Sequence, residues 1–493
     1  ENPLRLIKSQ QDTVPVVSII SELNDNEDLY FLFLKETNNI EKNIDLKKIF
    51  SKNDSIRRIL VERIKLITPD PFINVIDGAL SIASDAIWEE PSYLHGAVAW
   101  RMPLPGWRGA YAGDFLGWHD RARKHFESYA LAQYTEPDSG PTIPDSTTNL
   151  SRQLEKEGVS LYTSGYISRY PGKISKPHHY NMNLIYIDQL LWHFMWTGDT
   201  GFIKKMWPVI KRHLKWEKRC FDANKDGLYD AYACIWASDA LQYNGGGVTH
   251  SSAYNFRANS IASILARFVN ENPETYQNEA KKIYNAVNKI LWIEDEGHYA
   301  EYVDLLGEKG IHKSAALWTI YHTNESGIAD DFKKYLNTIY VDDNIPHLPF
   351  KVKEIANENF YLLSITDWMP YTWSINNVAM AENIHTALAY WQAGRNNEAF
   401  KIFKSTILES MYLTSSPGNF QQLSSFDVFR GELYRDFADA IGITARAIVE
   451  GLFGIKPDAL NDTLYLKPGL PDKWNFAELS INDIDFKYKK NID

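Results

Sequence analysis

The chain of 493 residues contains only two cysteines, Cys220 and Cys234, too few for a disulfide framework or for a cysteine-based zinc site. No run reaches the roughly 18 apolar residues that a membrane span requires, and no segment has the layout of a signal peptide. Cations are the minority charge: 52 Lys and Arg stand against 63 Asp and Glu, a net charge of −11. That balance argues against nucleic acid as a partner, because phosphate contacts need clustered cations. No His-Glu-x-x-His pair is present, so metal catalysis has no positive support, and no cofactor is implied. With 44% hydrophobic and 23% charged residues, the composition is that of a globular protein, which excludes disorder, collagen and coiled coil for the whole. The chain opens at Glu1 rather than at Met, which leads us to expect a processed or truncated form.

What is abundant is aromatic: 15 Trp, 28 Tyr and 23 Phe, or 13% of the chain. Core packing accounts for most of them. An acidic protein rich in Trp and Tyr also suits stacking on flat, uncharged ligands such as sugar rings.

Three regions are legible. Residues 1–68 mix short apolar runs (Val14–Val17, Tyr30–Leu34) with polar clusters, which predicts strands and turns leading to a helix near Asp54–Ile67. Residues 69–455 are helical. Segment 200–217 carries Ile203, Met206, Trp207, Ile210 and Leu214 on one face, whereas segment 180–197 is apolar nearly all round. Mostly apolar helices are expected from near Asp114, Tyr180, Ser252, Lys313, Trp373 and Asp436. Amphipathic ones are expected at 71–88, 149–157, 200–217, 274–291, 327–340 and 396–411. Six of each, largely alternating, predict a mainly α fold: an (α/α)6 toroid of six helical hairpins with short β segments at both ends. Residues 456–493 alternate and carry Pro and Gly turns, which predicts a β tail.

Polar and aromatic clusters precede the apolar helices. They comprise Trp100, Arg101, Trp107, Arg108, Tyr111 and Asp114; Lys176–Asn181 with His178; Trp236–Asp239 with Gly245–Gly247, His250 and Tyr254; Asp367-Trp368 with Trp373; and Arg430–Asp436. If the inner helices run parallel, these loops share one rim. The glycine run follows no parallel strand and lacks a Lys-Ser/Thr ending, so it is not a phosphate cradle. Asp222–Asp230 matches nine places of an EF-hand loop, but the twelfth is Ala233 rather than Glu, which favours an Asx-rich turn.

Tryptophans, arginines and several acids on one rim suit hydrolysis of a glycosidic bond. One protonated carboxyl donates to the leaving oxygen, and a carboxylate roughly 6.5–9.5 Å away activates water for inversion. Asp239 follows Ile235-Trp236-Ala237, a dry setting that would raise an acid's pKa. Glu432 lies before the last inner helix, and Asp436 and Asp439 are rival bases.

These residues carry a resemblance. Residues 196–230 (WTGDTGFIKK…DGLYD), 236–264 (WASDALQYNGGGVTHSSAYNF…) and 430–458 (RGELYRDFADAIGITARAIVEGLFGIKPD) resemble the six-hairpin glycosidases: trehalases, glucoamylase-like enzymes and bacterial α-L-rhamnosidases. The resemblance implies Asp239 as general acid and Glu432 as base. YAGDFLGW, residues 111–118, is similar to a rhamnosidase stretch ending in a substrate-contacting Asp, here Asp114. The rhamnosidase acid seven residues ahead would fall on Trp107, so that acid does not carry over. The trehalase glycine-rich approach to the base is also absent.

The expectation is therefore an exo-acting, inverting glycoside hydrolase on a plant- or microbial-type oligosaccharide. Trp107, Trp236, Trp368 and Trp373 would wall its subsite, with Arg108, Asp114, His178, His250, Tyr254 and Asp436 binding substrate. The resemblance also implies a periplasmic or cell-surface location. The alternatives are a polysaccharide lyase using Tyr254 or His250 as base with Arg101 or Arg108 on a uronate, and a non-catalytic glycan-binding toroid.

Overall fold

The computed structural model describes residues 22–32, 44–98, 100–142, 161–177, 180–231, 246–304, 309–355, 357–368, 376–413, 420 and 437–490. Two compact units divide at residues 60 and 61. In the first, helix α1 (Leu46–Val61) has no buried residue, and Asp54 pairs with Arg57 and Arg58 on its surface at 2.9 and 2.8 Å. Helix was expected as far as Ile67. It stops at Val61, and Lys65–Ile67 of the second unit are strand β1.

The second unit alternates outer and inner helices. In chain order they are α2 (Ile76–Ala86), α3 (Tyr111–Phe115), α4 (His119–Ala130), α5 (Met182–Thr197), α6 (Thr200–Phe221), α7 (Thr249–Phe268), α8 (Glu274–Ala286), α9 (Leu317–Ser326), α10 (Asp331–Asn344), α11 (Met380–Gln392), α12 (Asn396–Ile407) and α13 (Ala438–Arg446). The odd-numbered helices from α3 onward close a ring, each packed on the next and α13 back on α3. The even-numbered helices back them from outside.

Burial follows the pattern that the sequence announces. Every residue of α5 from Met182 to Phe194 is buried, because the helix has neighbours on all sides. In α6 the buried set is Phe202, Ile203, Met206, Trp207, Val209, Ile210, His213, Leu214, Trp216, Glu217, Cys220 and Phe221, and the remaining face is charged.

Local chemistry sets the junctions. Gly198 ends α5 in the left-handed region (φ +61°), and Asp199 then caps α6 by accepting from the Phe202 N–H at 2.9 Å. Gly327 (φ +87°) and the Asp330 cap repeat this device between α9 and α10, so the helix expected at 327–340 runs 331–344 instead. The helices expected over 274–291 and 396–411 end in π-helical turns at Val287–Leu291 and Leu408–Leu413. Residues 71–88 break into a single turn, Pro71–Asn74, followed by α2. The helix expected over 149–157 lies outside the described residues. The outer partner of α3 and α5 is α4, which follows α3 directly.

The Asp222–Asp230 segment closes as an Asx turn. Asp222 accepts from the Gly227 N–H at 3.1 Å, Asp226 accepts from the Leu228 N–H at 2.8 Å, and the Lys282 ammonium sits 2.6 Å from Asp222. That ammonium neutralises a carboxylate which an EF-hand would offer to calcium.

The C-terminal residues form two antiparallel hairpins, β2 (Ile455–Asp458) with β3 (Thr463–Leu466), and β4 (Phe476–Ile481) with β5 (Ile484–Lys489). β1 adds to β4 with Leu66 opposite Leu479, giving a three-stranded sheet. Burial alternates along β4, which satisfies the period-2 pattern of the tail. Among the described residues, no helix is long and apolar enough to cross a membrane.

Candidate active site

Each inner helix is separated from the next by an outer helix that returns the chain, so the inner N-termini gather at one end of the ring. The polar residues that the inner helices bury there begin with a turn rather than a helix. Residues 106–109 lie over the first turns of α5, α11 and α13. A Cβ on Gly106 would meet Met182 O at 2.7 Å, and one on Gly442 would meet Arg108 O at 1.8 Å.

Arg108 is 1% exposed. Its Nε donates to Asp439 Oδ1 at 2.7 Å, and Nη2 donates to Asp439 Oδ2 at 3.1 Å and to Glu382 Oε1. Nη1 lies 3.0 Å from His385 Nδ1. Burial alone would depress the guanidinium, but Asp439 and Glu382 outweigh it and hold its pKa well above the usual value. Burial pushes the Asp439 carboxyl up, with Arg108 opposing. Glu382 also accepts from the Tyr321 hydroxyl at 2.5 Å.

One turn deeper, His385 fixes its own tautomer. Arg108 can only donate, so Nδ1 accepts, and the proton on Nε2 points at Glu325 Oε2, 3.1 Å away. Its ring stacks on Tyr321 at 3.8 Å. Burial pushes His385 well below its usual pKa, which keeps it neutral. Glu325 collects His322 Nδ1 at 3.0 Å and Arg446 Nη2 at 3.0 Å as well. Burial would raise Glu325, but His385 and Arg446 carry it well below the carboxylate range. Arg257 pairs with Asp188 at 3.1 Å, Tyr111 donates to the same carboxylate, and Arg446 lies over the Tyr111 and Trp192 rings at 4.6 and 4.8 Å. A ladder of buried charge thus fills the axis of the ring below its mouth.

Among the sequence-predicted residues, Trp107, Arg108, His250 and Tyr254 belong to this end or its floor. His250 and Tyr254 are buried against His322, with ring centroids 6.5 and 4.3 Å away. Burial, with His322 adding, pushes His250 down to about 3. Trp368 is half-buried, donating to Ser314 Oγ at 2.8 Å, with its ring 5.8 Å from Trp318. Asp114 joins a different group. It is 2% exposed, and its Oδ1 lies 2.8 Å from both His193 Nδ1 and His119 Nδ1, with His119 reaching on to Asp483 at 2.9 Å. Those contacts lead to the C-terminal hairpin β4–β5, away from the Arg108 cluster. Arg108 itself is spent on protein partners rather than held out to a ligand, and Asp439, a rival base, has both oxygens in the Arg108 fork. Asp239, Glu432, His178, Trp236, Trp373 and Asp436 lie outside the described residues.

Glu382, His385, Tyr321, His322, Glu325, Arg257 and Arg446 were not singled out from the sequence. A signal existed: Glu382 and His385 in α11, and His322 and Glu325 in α9, are acid–histidine pairs three residues apart inside otherwise apolar helices. Among the described residues, no cluster of His, Cys, Asp and Glu is arranged to hold a metal ion.

No protein-family model matches the chain, and no curated protein matches it. Solved structures do. The chain is similar to a GH78 family rhamnosidase of Bacillus sp. GL1, with TM-score 0.58 and 14% identity over 85% of this chain and 39% of that one. A rhamnosidase from Klebsiella oxytoca with rhamnose bound gives 0.54 and 15%, over 78% and 65%. A GH63 mannosylglycerate hydrolase from Thermus thermophilus gives 0.50 and 12%, over 74% and 98%. The chain therefore spans 39% and 65% of the two rhamnosidases. The likeness establishes the (α/α)6 barrel that these glycosidases share.

Proposed function

We propose that the protein is an exo-acting, inverting glycoside hydrolase acting on a plant- or microbial-type oligosaccharide. The observation that carries this reading is the order of the inner ring. Asp239 lies in the segment leading into α7 and Glu432 in the segment leading into α13, and those helices are third and sixth of six, opposite each other. Acid and base attached at opposite sides of a mouth suit single displacement, with one protonating the leaving oxygen while the other draws a proton from water on the far face of the sugar. On this reading Trp107, Trp236, Trp368 and Trp373 would wall the subsite, and His178, ahead of α5, and Asp436, ahead of α13, would bind hydroxyls.

The filled axis supports the exo mode. Arg446, Trp192, Tyr111 and the Glu325 cluster close the ring below the mouth, so a substrate enters as a chain end rather than threading through. The fold neighbours add weight, since two are rhamnosidases and a third a mannosylglycerate hydrolase. A periplasmic or cell-surface location belongs to the same proposal.

A lyase would need a cation free to neutralise a uronate. Arg101 is bound to Glu89 at 2.8 Å, and Arg108 is held by two carboxylates, which leaves that reading without either. Asp239→Asn and Glu432→Gln are each expected to lower turnover at least about 100-fold with melting temperature unchanged. Near-normal turnover in either variant removes that residue from the mechanism.

A further inference from the structure

Trp107 and Arg108 both adopt left-handed backbone conformations, with φ +77° and +55°. A non-glycine residue is strained there, so two in succession persist only where the surroundings over-determine them. Two features do so. The backbone of the turn rests on α13 because Gly442 has no side chain, and a Cβ on Gly109 would stand 2.9 Å from Ala438 Cβ. Among the described residues, the guanidinium of Arg108 spends four N–H donors on Asp439, Glu382 and His385, from two helices adjacent in the ring. Trp107, next in line, keeps 8% of its surface open and lies 5.7 Å from the His95 ring, which packs on Phe437 at 4.3 Å just before α13.

We infer that Arg108 is a positioning residue, not a substrate contact: it locks the 107–108 turn so that Trp107 is a fixed wall of the sugar subsite, and it occupies both Asp439 oxygens so that this carboxylate does not act as a second base. The inference rests on the proposed hydrolase reading. A fork is needed, not merely a positive charge, because two oxygens of one carboxylate and one of another are engaged at once.

The test compares Arg108→Lys with the unaltered protein by amide hydrogen exchange over residues 103–110 and by steady-state kinetics. The probes are p-nitrophenyl α-L-rhamnoside, α-D-mannoside, α- and β-D-glucoside and α-L-arabinofuranoside. Lysine keeps the charge and loses the fork. The 107–110 amides are expected to exchange at least about tenfold faster, and KM to rise about tenfold with kcat within about threefold. Glu382→Gln, which keeps an acceptor but removes one charge, is expected to shift both readouts the same way by less, and it decides the matter if Arg108→Lys does not fold. Unchanged exchange overturns the clamp. A kcat loss of about 100-fold at constant KM overturns it too, because Arg108 would then act on the reacting atoms. If the unaltered protein cleaves none of the probes, the hydrolase reading fails on them, and the exchange rates alone decide the clamp.

Discussion

Glu325 and Glu217 are both almost completely buried carboxyl groups on helices of the same barrel, and they are opposite in character. Glu325 faces the ring axis, where His322, His385 and Arg446 all reach it within 3.1 Å. Glu217 faces the seam between α6 and α7. Its Oε2 accepts from Asn255 at 2.9 Å, and among the described residues its Oε1 accepts no hydrogen bond. Burial pushes Glu217 up to about 8 with the Asn255 amide opposing, while Arg446 and the histidine N–H donors hold Glu325 well below the usual range against burial. Burial alone makes a group neutral, and partners decide whether it stays charged. The axis is a fixed electrostatic framework beneath the mouth, and the helix seam is an uncharged joint.

The sharpest way to break this contrast is Glu325→Ala, which removes the carboxylate that His322, His385 and Arg446 share and leaves Arg446 with Glu450. It is expected to cost about 3–5 kcal/mol in urea unfolding. A loss under about 1 kcal/mol would show that the axis does not depend on that carboxylate.

Glu217→Gln tests the other side. A carboxyl whose folded pKa is raised stabilises fully below its unfolded pKa and loses that contribution as pH climbs towards about 8. The glutamine variant is therefore expected to gain about 1–3 kcal/mol at pH 8 and above, with no gain near pH 4. A gain independent of pH would mean that Glu217 is not held neutral by the fold.

The smallest effect belongs to His119, the half-buried link between Asp114 and Asp483. Its hydrogen bond to Asp114 raises it to about 9 against the opposing effect of burial. The stabilisation is complete below pH 6.5 and disappears as pH rises through about 9. His119→Gln is expected to cost about 1 kcal/mol at pH 6 and nothing above pH 10, measured by thermal unfolding across that range.

The barrel was legible because its two layers write different patterns. A helix buried on every side, such as Met182–Phe194, reads apolar throughout, and a backing helix such as Thr200–Phe221 reads apolar on one face. A boundary slipped where two residues separate the closing glycine from the Asx cap, at Gly327 and Asp330, but not where the two are adjacent, at Gly198 and Asp199. The charged axis was not legible, because apolar periodicity treats Glu382, His385 and Glu325 as surface residues. The burial of Glu382 and His385 is set by Arg108, more than 270 residues earlier in the chain, and that of Glu325 by His385 and Arg446 later in it. Asp114 was read from a rim-like segment, yet it sits near the C-terminal end of the five-residue helix α3, where its neighbours are His119 and His193. Sequence order alone does not say at which end of a short helix a side chain emerges.

The central claim is tested most directly by proton NMR of the first sugar released from the aryl-glycoside panel. The account predicts that the initial product has the anomeric configuration opposite to the substrate's, as water delivered across the mouth from the acid requires. An initial product of retained configuration would contradict it.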